Sequence, residues 1–155
     1  MTKNTQRELP LVALLGGLGD VIRDELYARL KGLGFAEIRP AHGCVFGHID
    51  DEGARLTELA ERSGLTKQSV GEAVADLERL GFVERVPDPA DGRAKIIRLT
   101  PHGADALAAA AAIFADIEER FAAEVGRERF DEFRETLARL NGLAAAPAAP
   151  VSRAA

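Results

Sequence analysis

The sequence predicts a mainly α-helical domain carrying one small β-hairpin. Three observations lead there. Apolar residues recur at three- and four-residue steps through most of the chain. One pair of short β-prone runs, 82–86 and 95–99, interrupts that pattern. Capping hydroxyls, prolines and glycines fall where helices should start and stop. At 155 residues and 46% hydrophobic content, the chain can bury a core of its own. The polar residues 1–8 are expected to fray, and the Ala/Pro-biased tail 144–155 to be disordered. One domain over 9–143 remains.

Val12, Leu15, Leu18, Ile22, Leu26 and Leu30 predict a first helix over 9–31, ending near Gly32 and Gly34. Glycines 16, 17 and 19 weaken its first part. A second helix is expected from Pro40, with Cys44, Val45, His48 and Ile49 on one side, broken by 50–53. Thr57 is the expected cap of a third, short helix that Gly64 ends. Thr66 is the expected cap of a fourth, with Val70, Val74, Leu77 and Leu80 inward and Gly81 just past its end. The hairpin follows. Thr100-Pro101 then restarts a helix, a capping hydroxyl followed by proline at the first helical position. Leu107, Ala110, Phe114, Ile117, Phe121 and Val125 form its expected stripe, and Phe130, Phe133, Leu137 and Leu140 that of a last helix.

Composition removes several function classes. No apolar run reaches membrane-spanning length. Residues 9–19 look superficially like a signal-peptide core, but no small-residue cleavage site follows and the run leads straight into charged residues. A lone cysteine, Cys44, excludes an internal disulfide framework and suits the cytoplasm. No cofactor motif stands out. Glycines 16, 17 and 19 lack the lysine and hydroxyl of a phosphate-binding loop. His42, Cys44 and His48 could suggest a metal, but the histidines are six residues apart and nothing nearby completes a ligand set. No catalytic triad or supported carboxylate pair appears, so an enzyme is not expected.

Residues 54–100 carry the strongest signal. A short helix, a tight turn at Gly64-Leu65 and a longer helix match a helix-turn-helix. The start of the second helix offers Thr66, Lys67, Gln68, Ser69 and Glu72 outward, groups that suit base edges and phosphates. The hairpin that follows then reads as a wing. At its tip Gly92 should permit the turn, Asp91 should pair with Arg93, and Arg93 could enter a minor groove while Lys95 meets a phosphate. This segment nonetheless holds eight Lys/Arg against eight Asp/Glu, within a chain of net charge −5. A winged-helix protein–protein adaptor is therefore the alternative reading.

"LTELAERSGLTKQSV", "LERLGFVER", "DPADGRA" with its Asp-x-Arg, and "LTPHG" resemble the MarR family of winged helix-turn-helix regulators. The helix order over residues 9–142 fits as well. The resemblance implies a cytoplasmic transcriptional regulator, a homodimer built from helices 9–31 and 101–142, and a DNA-binding lobe at 54–100. It implies a pseudo-palindromic double-stranded DNA site and repression released by a small aromatic or anionic effector. Tyr27, Arg39, His42 and Phe46 are the expected effector contacts. The family's peroxide sensors carry their cysteine near the start of the chain, so that chemistry does not transfer to Cys44.

Overall fold

A computed structural model describes residues 9–144; the expectations for 1–8 and for the tail beyond 144 lie outside the described residues. Helix α1 spans Leu11–Gly32. It ends as its sequence demands: Gly34 adopts φ 94° and the Phe35 N–H returns to the Leu30 carbonyl at 2.9 Å. Of its expected stripe, only Leu26 and Leu30 are buried. Val12 remains 75% exposed, so the stripe's first half covers no core within the described chain.

The second helix is shorter than its pattern suggests. Pro40–His42 form a 3₁₀ turn and α2 occupies only Gly43–Phe46. Two glycines, Gly43 and Gly47, frame that single turn and lower its propensity. The chain then enters a small sheet. Ala54 exchanges backbone hydrogen bonds with Ile97 at 3.0 and 2.9 Å. Gly53, at φ 90°, allows this approach, since a Cβ there would lie 2.4 Å from the Ile97 carbonyl oxygen.

Helix α3 spans Leu56–Ser63, with Arg55 rather than Thr57 at its N-cap. The Glu58 carboxylate accepts the Arg55 N–H at 2.7 Å, which starts the helix before the threonine. Gly64 closes it at φ 68°. Helix α4, Lys67–Arg79, is capped by Thr66 as predicted and buries Val70, Ala73, Val74 and Leu77. Gly81, at φ 81°, and the Phe82 N–H bonded to the Leu77 carbonyl at 2.9 Å end it as expected.

Strands β1, Val83–Asp88, and β2, Asp91–Leu99, pair antiparallel and run longer than predicted. Helix α5 spans Pro101–Val125. Its cap is the predicted one: Thr100 Oγ1 accepts the Gly103 N–H at 3.1 Å and donates to the Gly81 carbonyl at 2.6 Å. Gly103 has a further role. A Cβ there would sit 2.0 Å from the Phe82 carbonyl oxygen, so only glycine lets α5 lie this close. Phe82 is fully buried beneath it, stacked on His102 at 4.5 Å and edge-on to Phe46 at 6.1 Å.

The inward positions of α5 are Ala106, Ile113, Ile117 and Ala122 rather than the predicted stripe, of which only Ile117 is buried. Phe114 and Val125 are exposed. Helix α6, Arg127–Ala144, buries Phe130 against Phe121, while Phe133 and Leu140 are exposed. The chain divides into two compact units, one ending at Phe114 and one beginning at Ala115.

Candidate nucleic-acid interface

The capped start of α4 presents the five predicted residues together. Thr66, Lys67, Gln68, Ser69 and Glu72 are all exposed. Thr66 Oγ1 accepts the Ser69 N–H at 3.1 Å and meets the Ser69 hydroxyl at 2.9 Å. Gln68 donates to the Glu72 carboxylate at 3.2 Å, an i,i+4 pair that aligns both side chains. Gly71 lies on another side of the helix. Its nearest neighbour would be the Leu56 side chain at 3.9 Å, so it marks the α3–α4 packing and not a bare outer surface.

The wing differs from expectation at its tip. The turn falls at Pro89-Ala90. Pro87 opposes Lys95, yet Asp88 opposes Asp91, leaving Gly92, Arg93 and Ala94 as extra residues on β2. Gly92 has no positive φ, so its expected role in the turn is not realised. The Asp91 carboxylate accepts the Arg93 backbone N–H at 3.1 Å and leaves the guanidinium alone. The spacing of two suits a local Asx-type bond better than a reach to the side chain's end. Arg93 is exposed, on the bulge.

Asp88 anchors the wing instead. Its carboxylate is buried, accepts the Ala90 N–H at 2.8 Å, and accepts Arg55 Nε at 2.7 Å together with Arg55 Nη2. The Ala90 N–H and the Arg55 guanidinium hold the carboxyl below its usual range. This pair joins the hairpin tip to the N-cap of α3. The sequence carried a partial signal for it, an aspartate between two prolines, which is turn chemistry.

Side-chain pairing sorts the cations of 54–100 without changing their balance against the carboxylates. Four of its eight cations are spent: Arg55 on Asp88, Arg62 on Asp50, Arg79 on Asp76 and Arg85 on Glu78. Lys67, Arg93, Lys95 and Arg98 have no ion-pair partner among the described residues. Arg98 borders the acidic loop 50–52. The remaining three sit on the start of α4 and on the wing.

The four expected effector contacts separate into two places. Tyr27 and Phe46 line an apolar cavity of about 220 Å³ with Leu26, Leu30, Ile38 and Phe114. Arg39 and His42 instead line a different depression, on the α4 side, with Ser69, Glu72 and Asp76. His42 is buried; Nδ1 accepts the Arg39 N–H at 3.2 Å, and the proton thereby left on Nε2 is donated to Asp76 at 2.9 Å. Arg39 bonds the same Asp76 oxygen. Arg79, His42 and Arg39 hold the Asp76 carboxyl well below the usual carboxylate range. Cys44 is half-buried, its Sγ 3.2 Å from the Ala41 carbonyl, and burial pushes its thiol up, away from the reactive thiolate. Among the described residues no three metal-ligating side chains cluster, and His42 has both ring nitrogens engaged.

A capped helix-turn-helix followed by a hairpin wing with exposed cations defines a winged helix-turn-helix DNA-binding transcriptional regulator. No helix among the described residues is long and apolar enough to cross a membrane. The sequence profile of the MarR family matches residues 37–94. The transcriptional regulator HosA of Escherichia coli O157:H7 is 30% identical over 95 residues, covering 61% of this chain and 70% of the relative. The transcriptional regulator Tm0710 of Thermotoga maritima is 26% identical, with a TM-score of 0.59 over 86% of this chain and 93% of that one. MepR of S. aureus in complex with DNA shares the fold, with a TM-score of 0.70 at 20% identity over 87% of this chain and 98% of that one. The chain belongs to the MarR family.

Proposed function

We propose that the chain acts as a cytoplasmic homodimer that represses transcription from a pseudo-palindromic site and releases it when a small aromatic effector binds. One observation carries the DNA reading: the uncompensated cations of the lobe lie on the exposed start of α4 and on the wing, the two elements that reach grooves in this fold class. In this reading Gln68, Ser69 and Glu72 meet base edges, Thr66 and Lys67 meet phosphates, Arg93 enters the minor groove and Lys95 contacts a phosphate. Asp91 and Gly92 shape the bulge that carries Arg93. Dimerisation is supported by the apolar residues that α1, α5 and α6 leave exposed, among them Val12, Leu14, Phe114, Val125 and Phe133. The cavity beside Tyr27 and Phe46 suits an aromatic ring more than an anion, since no cation lines it.

Footprinting on genomic DNA, followed by a gel shift at graded salt, tests this. Two protected half-sites about one helical turn apart are expected. No specific shift at any salt would sink the DNA reading and favour the adaptor.

A further inference from the structure

The segment 38–47 has two working sides. Ile38, Gly43 and Phe46 wall the apolar cavity. Between them, Arg39 and His42 reach the other way and bind one carboxylate on α4, that of Asp76. Both neighbours are constrained. His42 is 1% exposed, and its ring is fixed by the Arg39 N–H on one nitrogen and by Asp76 on the other. The Asp76 side chain is 18% exposed and its second oxygen is taken by Arg79 of its own helix at 2.5 Å. A shift of the wall by a fraction of an ångström therefore stretches hydrogen bonds that end on the DNA-reading helix.

We propose that Asp76 is a positioning residue: through Arg39 and His42 it fixes α4 to the wall of the apolar cavity, so that filling the cavity is felt at the start of α4. The proposal rests on the functional reading above for its consequence at DNA, but not for the coupling itself. Asp76 need not touch DNA. Its carboxylate sits two turns beyond Ser69 along α4, and two of its three partners, Arg39 and His42, belong to the 38–47 segment. Packed interiors respond to an occupant by discrete repacking, and this polar clamp is the stiff link such repacking meets.

The test is a double-mutant cycle in the full chain. Ala110→Phe, on the α5 side of the cavity, acts as a built-in occupant. Asp76→Asn keeps the shape of the clamp and removes its charge. Hydrogen exchange at amides 73–79 is read together with affinity for the footprinted DNA. Ala110→Phe alone should raise exchange there about tenfold and weaken DNA binding. In the Asp76→Asn background, where exchange is already raised, it should add less than about twofold. Multiplying effects, or unchanged exchange at 73–79 after Ala110→Phe, would overturn the clamp. Coupled exchange with DNA affinity unmoved in both variants would support the clamp and overturn its consequence at DNA, whereas the absence of any footprint would overturn the DNA reading and leave the exchange cycle to decide the clamp. If Ala110→Phe melts early, Leu107→Phe on the same wall takes its place.

Discussion

Lys67 and Arg79 stand on the same helix, are both exposed and both cationic, yet the structure predicts opposite salt behaviour for them. Lys67 has no ion-pair partner among the described residues, whereas Arg79 is matched by Asp76 at 2.5 Å. Each phosphate neutralised by a free cation releases condensed counterions, giving about 0.9 of slope in log K against log salt. A dimer presents Lys67 twice, so Lys67→Gln should flatten the slope by about 1.8. Between 50 and 200 mM salt, the affinity gap between variant and parent should therefore close by about twelvefold. Arg79→Gln should leave the slope within a few tenths, because its guanidinium is held on Asp76 at the opposite end of α4 from Lys67. Fluorescence anisotropy on the footprinted duplex at five salt concentrations measures both. Equal flattening by the two variants, or none by Lys67→Gln, would refute the assignment of free and spent cations.

Four further outcomes follow from the same geometry. Gly103→Ala should cost about 1–3 kcal/mol or more, because its Cβ would meet the Phe82 carbonyl oxygen at 2.0 Å; thermal unfolding reads it. Gly71→Ala should stabilise by about 1 kcal/mol, since Leu56 at 3.9 Å leaves room and helix propensity improves; a rise in melting temperature checks it. Arg93→Ala should leave melting unchanged and weaken binding mainly at A·T-rich flanks, as competition gel shifts with A·T- and G·C-flanked duplexes would reveal. The carboxyls of Asp76 and Asp88 are held below their ordinary range, so their contribution to stability is complete above about pH 4 and is lost as pH falls through their lowered values. Melts from pH 7 to pH 3 should show a shallower acid decline for Asp88→Asn than for the parent.

Much of the fold was legible because its punctuation is local. Thr66, Gly64, Gly81, Thr100 and Pro101 each act within one helical turn, and each does in the structure what the sequence implied. Stripes were less reliable. On α5 the apolar residues outnumber those a single chain can cover, so periodicity could not tell Ala106 and Ile113 from Phe114 and Val125. The short second helix was overread for a related reason: an apolar pattern does not register the cost of Gly43 and Gly47 flanking one turn.

Long-range pairs were not legible at all, and they govern the charge. Sequence arithmetic gives 54–100 a net charge of zero, an unpromising figure for a DNA reader. The arithmetic treats all eight cations alike. Folding does not: Arg55 meets Asp88 across 33 positions, and Asp76 takes Arg79 of the lobe together with Arg39 and His42 from outside it, 37 and 34 positions away. Those carboxylates are consumed inside the lobe, where they locate the wing and α4. Some of the cations consumed with them are structural as well. The free cations are left at the two projecting elements, Lys67 on the α4 start and Arg93 with Lys95 on the wing. Pairing leaves the net charge where it was, and Glu72 stands near Lys67 on α4 and Asp91 near Arg93 on the wing; what it changes is which cations are free to meet a phosphate and where they project. Local potential, and not composition, then sets the interaction with phosphate.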